Sequence, residues 1–190
     1  RSFTSARLRD GQRLVYGPAT ATATARPRIA VRTGTIGPGE VTVKVYLAGP
    51  LFTPYERTEL DRIAARLRAA GMDVFVPHEQ VLGTEGVTPA AVYAIDREGL
   101  LGADAVLAIL DGTDVDDGTA CEIGMFAEAA GRDQGRRGIV GLLRDMRGLR
   151  GPGGTPAMNL FVRGCIESVG LVTADEAEAV ATLEAWHRGD

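Results

Sequence analysis

The chain has 190 residues, a formal charge of −4 and 45% apolar residues, the size and composition of one soluble domain with its own core. No apolar run approaches the roughly 20 residues of a membrane span. Neither Cys121 nor Cys165 belongs to a CxxC pair, which excludes a disulfide framework and points to a reducing, cytoplasmic setting with no signal peptide.

Residues 1–40 read as a basic N-terminal arm, with an Asp10-Gly11 turn that suits a hairpin and an extended linker from Ala19 to Pro27. Residues 1–44 hold eight basic and two acidic side chains, so that against the overall −4 the remainder carries −10. Aromatics do not interleave with these arginines in the way nucleic-acid sites usually need. The arm is therefore expected to pack on an acidic protein surface, and nucleic acid is an unlikely partner.

Residues 41–190 read as one α/β domain. Val41 to Leu47 is the first core strand, followed by Ala48-Gly49-Pro50-Leu51-Phe52. A single glycine there is no GxGxxG fingerprint, which disfavours a dinucleotide fold in the strict sense. Thr53-Pro54-Tyr55-Glu56 is a capping box with proline at N1, and the helix it opens turns Leu60, Ile63, Ala64 and Leu67 inward before stopping at Gly71. Met72 to Val76 is a second strand, closed by Pro77 and His78. His78 reads as a loop histidine with a local hydrogen bond, or as a base contact.

Thr88-Pro89 caps the next helix, whose inner side shows Val92, Ile95 and Leu100. By periodicity Asp96 lies at the edge of that stripe, within reach of Arg97 or Arg132. Ala105 to Leu110 is apolar without alternation, as in a parallel strand covered on both faces. The acidic loop Asp111 to Gly118 follows, then a helix carrying Ile123, Phe126, Ala127 and Ala130 up to Gly131.

Gly138 to Leu143 is the fourth strand, and a glycine- and proline-rich loop spans Gly148 to Pro156. Asn159 opens the stretch from Leu160 to Ile166, and Val169 to Val172 is a short fifth strand. Thr173-Ala174-Asp175-Glu176 reads as a second capping box before a helix to about Trp186. This alternation predicts a doubly wound, five-stranded parallel sheet.

Ligands of such sheets bind beyond the carboxyl ends of the strands, where the acidic loop lies. Glu122 is assigned to the first helical turn, where unpaired N–H groups and the dipole would hold a carboxylate ionised, making it a candidate nucleophile or base. Other chemistries fall away. Lys44, the only lysine, lies in a strand with no glycine-rich loop before it; Ser2, Ser5 and Ser168 occupy no GxSxG elbow; and the two histidines, His78 and His187, have no zinc-ligand spacing. The loop is no EF-hand either, since counting from Asp117-Gly118 puts Thr113 and Gly124 at positions that need carboxylates.

Four segments, Tyr46-Leu47-Ala48-Gly49-Pro50-Leu51-Phe52, the helical Asp96, the run from Asp116 through Glu122 to Gly124, and Asn159-Leu160-Phe161, together resemble the nucleoside 2-deoxyribosyltransferases over residues 43–185. The resemblance implies a flavodoxin-like sheet of order 2-1-3-4-5, exchange of nucleobases on 2-deoxyribose, and no cofactor or metal. It casts Glu122 as the nucleophile at C1′, Tyr46 as the hydroxyl orienting it, and Asp96 as the acid serving the departing base. It makes Asp116 a sugar-hydroxyl ligand and places Gly49 in the substrate-binding set. Phe52 and Phe161 become apolar walls. Asn159 would be lent to a neighbouring subunit's pocket, which implies a homo-oligomer.

Each residue also has a plainer reading. Glu122 can be a helix-start carboxylate, Asp96 a border ion pair, Asp116 a loop cap, Tyr46 core filler and Asn159 a helix cap. A hydrolase using the same residues and a non-catalytic nucleoside-binding module remain alternatives. The uncharged segment Ala48 to Phe52 favours a nucleoside over a nucleotide, and base preference is expected to reside in loops such as Val81 to Val87.

Overall fold

Apolar strands alternating with one-sided helices build a single parallel sheet in the computed structural model, which describes residues 42–80, 87–145 and 158–189. The expected arm, most of the Val81 to Val87 loop and the Gly148 to Pro156 loop lie outside the described residues. The elements run β1 (Lys44–Ala48), α1 (Pro54–Ala69), β2 (Asp73–Phe75), α2 (Pro77–Gln80), α3 (Pro89–Leu101) and β3 (Ala105–Ile109). They continue with α4 (Asp117–Arg132), β4 (Gly138–Leu142), α5 (Leu160–Glu167), β5 (Leu171–Thr173) and α6 (Glu176–Arg188). The strand order is β2-β1-β3-β4-β5 with every pairing parallel, as expected.

Period-2 alternation divides the strands between two cores. Val45, Leu47, Leu107, Val140 and Leu142 pack with α1 and α6 on one face. Tyr46, Ala48, Val106, Ala108 and Ile139 face Leu100 of α3, Ile123 and Phe126 of α4 and Ile166 of α5 on the other. The side chain of Tyr46 therefore leaves β1 toward α3 and α4, and those two helices carry the carboxylates of interest.

The capping box at Thr53 forms in full, with the Glu56 N–H donating to the Thr53 hydroxyl and Glu56 accepting from the Thr53 N–H. Leu60, Ile63, Ala64 and Leu67 are the buried face of α1. Three local expectations are corrected. The fourth helix runs through Gly131 to Arg132, and Asp133 caps it. The last helix is capped by Asp175, not Thr173: Thr173 ends β5, and its hydroxyl is engaged by Glu178 and the Asp175 N–H. His78 lies in the one-turn helix α2 instead of a loop. No helix among the described residues is long and apolar enough to cross a membrane.

Candidate active site

A cavity of about 770 Å³ opens at the carboxyl edge of β1, β2 and β3. Its floor is the segment after β1, where Gly49 is tightly packed: a Cβ would lie 3.0 Å from Leu60 and 3.1 Å from Ile109, close enough that these neighbours would have to shift. Leu51 and Phe52 continue that wall, Pro77 and His78 come from α2, and Val87 and Val92 from the entry to α3. Asp96, Asp116 and Glu122 all line the cavity. Among the described residues, no group of histidines, cysteines or carboxylates is arranged to hold a metal ion.

Glu122 is not in the first turn of its helix. Asp116 is the N-cap and accepts from the Thr119 N–H at 2.9 Å, which puts Glu122 in the second turn, beyond most of the terminal dipole effect. Glu122 is thus not held permanently ionised by the helix terminus, contrary to expectation. Burial pushes the Glu122 pKa up to about 7, a hydrogen bond from Tyr46 lowers it, and the charges of Asp96 and Asp116 raise it further.

Tyr46 is fully buried and donates its hydroxyl to Glu122 Oε1 at 2.6 Å. Burial, then the charge of Glu122, pushes the phenol pKa far above its usual value, so Tyr46 keeps its proton and remains the donor. Its ring stacks on Phe75 of β2, centroids 5.2 Å apart and planes 13° apart. Phe75 in turn lies under Gly99 of α3, where a Cβ would come within 2.5 Å of the ring. A glycine in α3 thus lets that helix close over the stack. Phe75 and Gly99 escaped the sequence reading because their contacts cross three elements.

Asp96 sits one turn before Gly99 and is half-buried, which raises its pKa by desolvation. It pairs with neither Arg97 nor Arg132; Arg132 pairs with Glu128 instead. Asp116 spends Oδ2 on Thr119, at 2.9 Å to the N–H and 3.1 Å to the hydroxyl, while Oδ1 has no hydrogen bond among the described residues. Both the loop-cap reading and a ligand role are therefore compatible with Asp116. Asp111, at the start of the acidic loop, pairs instead with Arg144 at 2.6 Å and does not line the cavity.

Comparison with known proteins identifies the family of the chain. The family model described as nucleoside 2-deoxyribosyltransferase covers residues 45–175. The chain belongs to the nucleoside 2-deoxyribosyltransferase family. Membership makes it an enzyme of glycosyl transfer or hydrolysis, acting on nucleosides and nucleobases.

The solved 2-deoxyribosyltransferase of Bacillus psychrosaccharolyticus is 25% identical, with a TM-score of 0.54 over 72% of this chain and 90% of that one. The fold is shared with a 2-desoxiribosyltransferase from Leishmania mexicana (18% identity, TM-score 0.55, 76% of this chain and 99% of that one). It is shared also with a conserved protein from Enterococcus faecalis V583 (23% identity, TM-score 0.66, 77% and 99%). No curated protein sequence matches.

Not every expected residue reaches the cavity. Phe52 does, although 75% exposed. Asn159 caps α5, accepting from the Phe161 and Val162 N–H groups. Neither Asn159 nor Phe161 lines the cavity of its own chain, and Phe161 is 80% exposed. Arg57 on α1 does line the cavity, unforeseen in the sequence. Its place in a capped helix gives no hint that it turns toward the strand ends.

Proposed function

We propose that this cavity transfers 2-deoxyribose between nucleobases by two displacements at C1′, with Glu122 as the nucleophile. The observation that supports the reading best is the 2.6 Å Tyr46–Glu122 hydrogen bond in the wall of a cavity shared with Asp96. With Oε1 held by the phenol, Oε2 is left to attack C1′. The N-glycosidic bond breaks through an oxocarbenium-like state, and the departing base nitrogen takes a proton from Asp96. The product is a glycosyl ester on Glu122. An incoming base then attacks C1′ from the face the first base left, Asp96 removes its proton, and the configuration at C1′ is retained. Asp116 Oδ1 is assigned to a sugar hydroxyl, Phe52 to an apolar wall beside the base, and Gly49 to the close approach of substrate to β1. No cofactor is required by this scheme.

Three carboxylates share the cavity with one arginine, a potential that favours an uncharged nucleoside over a phosphorylated one. Asn159 and Phe161, exposed beside the exposed Leu160, are assigned to a neighbouring subunit's pocket in a homo-oligomer. Sedimentation at micromolar concentration should then show at least a dimer, and a fully active monomer would remove that part of the proposal. The reaction itself is tested by incubating a 2′-deoxynucleoside with and without a second base. A new nucleoside is the expected product; free deoxyribose in both incubations would make the enzyme a hydrolase, and binding without turnover a non-catalytic module.

A further inference from the structure

We propose that Arg57 sets base specificity, selecting nucleobases that present a keto oxygen on the edge remote from the glycosidic nitrogen over those that present an amino group. The inference rests on the reading of the cavity as a nucleoside site and adds to it which bases enter.

The placement follows from the two faces of the sheet. Asp96 and Glu122 lie on α3 and α4, which pack on one face, whereas α1 packs on the other. Arg57 therefore reaches the cavity from the side opposite the carboxylates. A sugar attacked by Glu122, with its base nitrogen at Asp96, must direct the far edge of the base away from those two groups, toward the side where Arg57 stands. One nitrogen of the guanidinium is already fixed, Nη1 donating to the Leu51 carbonyl at 2.7 Å. The group makes no other hydrogen bond among the described residues. An arginine holds five N–H donors and no acceptor, so what it offers the cavity is complementary to a carbonyl oxygen and not to an exocyclic amine.

A phosphate is the competing acceptor, and the surroundings argue against it. Asp96, Asp116 and Glu122 line the same cavity. Asp61, one helical turn beyond Arg57, adds a carboxylate that accepts from His78 Nε2 at 2.7 Å when that nitrogen carries the proton. A dianion would enter a field that is negative overall. A keto base brings only a dipole, and one fixed donor suits it.

The test compares base release from 2′-deoxyinosine with 2′-deoxyadenosine, and from 2′-deoxyuridine with 2′-deoxycytidine, in wild type, Arg57→Met and Arg57→Lys. Wild type should favour the keto member of each pair in kcat/KM by on the order of 10- to 100-fold, the value of a charge-assisted hydrogen bond. Arg57→Met should erase that ratio by lowering the keto substrates while sparing the amino ones. Arg57→Lys, which keeps the charge and a donor for Leu51, should retain part of it and covers the case in which the Met variant does not fold.

Equal loss on all four nucleosides would reduce Arg57 to a strut for the loop after β1 and overturn the proposal. So would a wild-type preference for amino bases, or a selective loss of 2′-deoxyinosine 5′-monophosphate binding in Arg57→Met. Wild type inert toward every nucleoside would instead remove the nucleoside reading on which the inference stands.

Discussion

Two groups of carboxylates stand near the carboxyl edge of this sheet, and they differ in everything but chemistry. On the α1 and α6 side, Glu59, Glu176 and Asp111 are tied to Arg62, Arg66 and Arg144 at 2.5 to 3.1 Å. Hydrogen bonds from Arg62 and Arg144 hold Glu59 near a pKa of about 2, and Arg62 and Arg66 lower Glu176 as well. On the α3 and α4 side, Glu122 and Asp96 form no ion pair with an arginine among the described residues, and burial raises both. The first group is already satisfied by its arginines, so it fastens helices. In the second group Glu122, at about 7, can gain and lose a proton near neutrality, and the carboxylates have unspent hydrogen-bonding capacity, which suits chemistry.

Removing the charge of Glu122 should break the second group most severely. Glu122→Gln is expected to lose on the order of 10³ or more in kcat while still binding nucleoside. The same variant should gain stability at alkaline pH. A carboxyl with a folded pKa of about 7 against an ordinary 4.5 binds its proton more tightly in the native state. Wild-type stability therefore falls as pH rises from 4.5 to about 7 and is flat above. Glutamine lacks that loss, so denaturant melts at pH 8 should favour the variant by up to about 3 kcal/mol. Equal stability at both ends of the range would mean the carboxylate is better solvated than its burial suggests.

Asp96→Asn is expected to slow departure of poor leaving bases by about 100-fold and that of activated bases far less, since only the former need a proton. It should also move the acid limb of the kcat/KM profile to lower pH, because the Asp96 charge raises the Glu122 pKa. Tyr46→Phe acts in the other direction: without the lowering hydrogen bond the limb should shift to higher pH, with a rate loss of about tenfold at neutrality. A shift of the same sign in both variants would contradict the assignment of that limb to Glu122.

The smallest catalytic effect belongs to the first group. Arg144→Met should leave kcat within about twofold and cost about 1–2 kcal/mol of stability. Since the Glu59 pKa is lowered in the fold, its stabilisation is present above 4.5 and lost as pH falls toward about 2. The variant should therefore differ least from wild type in acid, as thermal melts across pH would show.

The alternation of strands and helices and the prominence of Glu122 were legible before the structure because each rests on local pattern, whereas the strand order and the placing of Asp96 and Asp116 at the site came only through the family resemblance. The unbroken apolar run of β3, the cap at Thr53 and the glycine after β1 declare themselves within a few residues. The misreadings share one cause. Glu122 was placed a turn too early because Asp116, not a later residue, captures the Thr119 N–H. Thr173 lost its role as cap to a side-chain bond with Glu178. Arg57, Phe75 and Gly99 gave no signal, since the contacts that give them meaning lie on other elements: Phe75 of β2 stacks on Tyr46 of β1 and lies against Gly99 of α3, and Arg57 of α1 lines a cavity shared with α3 and α4. Competition among polar side chains for backbone groups, and packing across layers, is settled only once the elements meet.

The most direct measurement is mass spectrometry of the enzyme quenched during turnover of a 2′-fluoro-2′-deoxynucleoside, whose fluorine destabilises the oxocarbenium-like state and lets an intermediate accumulate. Peptic fragments should carry the added fluorodeoxyribosyl group on Glu122, and the adduct should vanish when an acceptor base is supplied. An adduct on another carboxylate, or full turnover by Glu122→Gln, would contradict the mechanism.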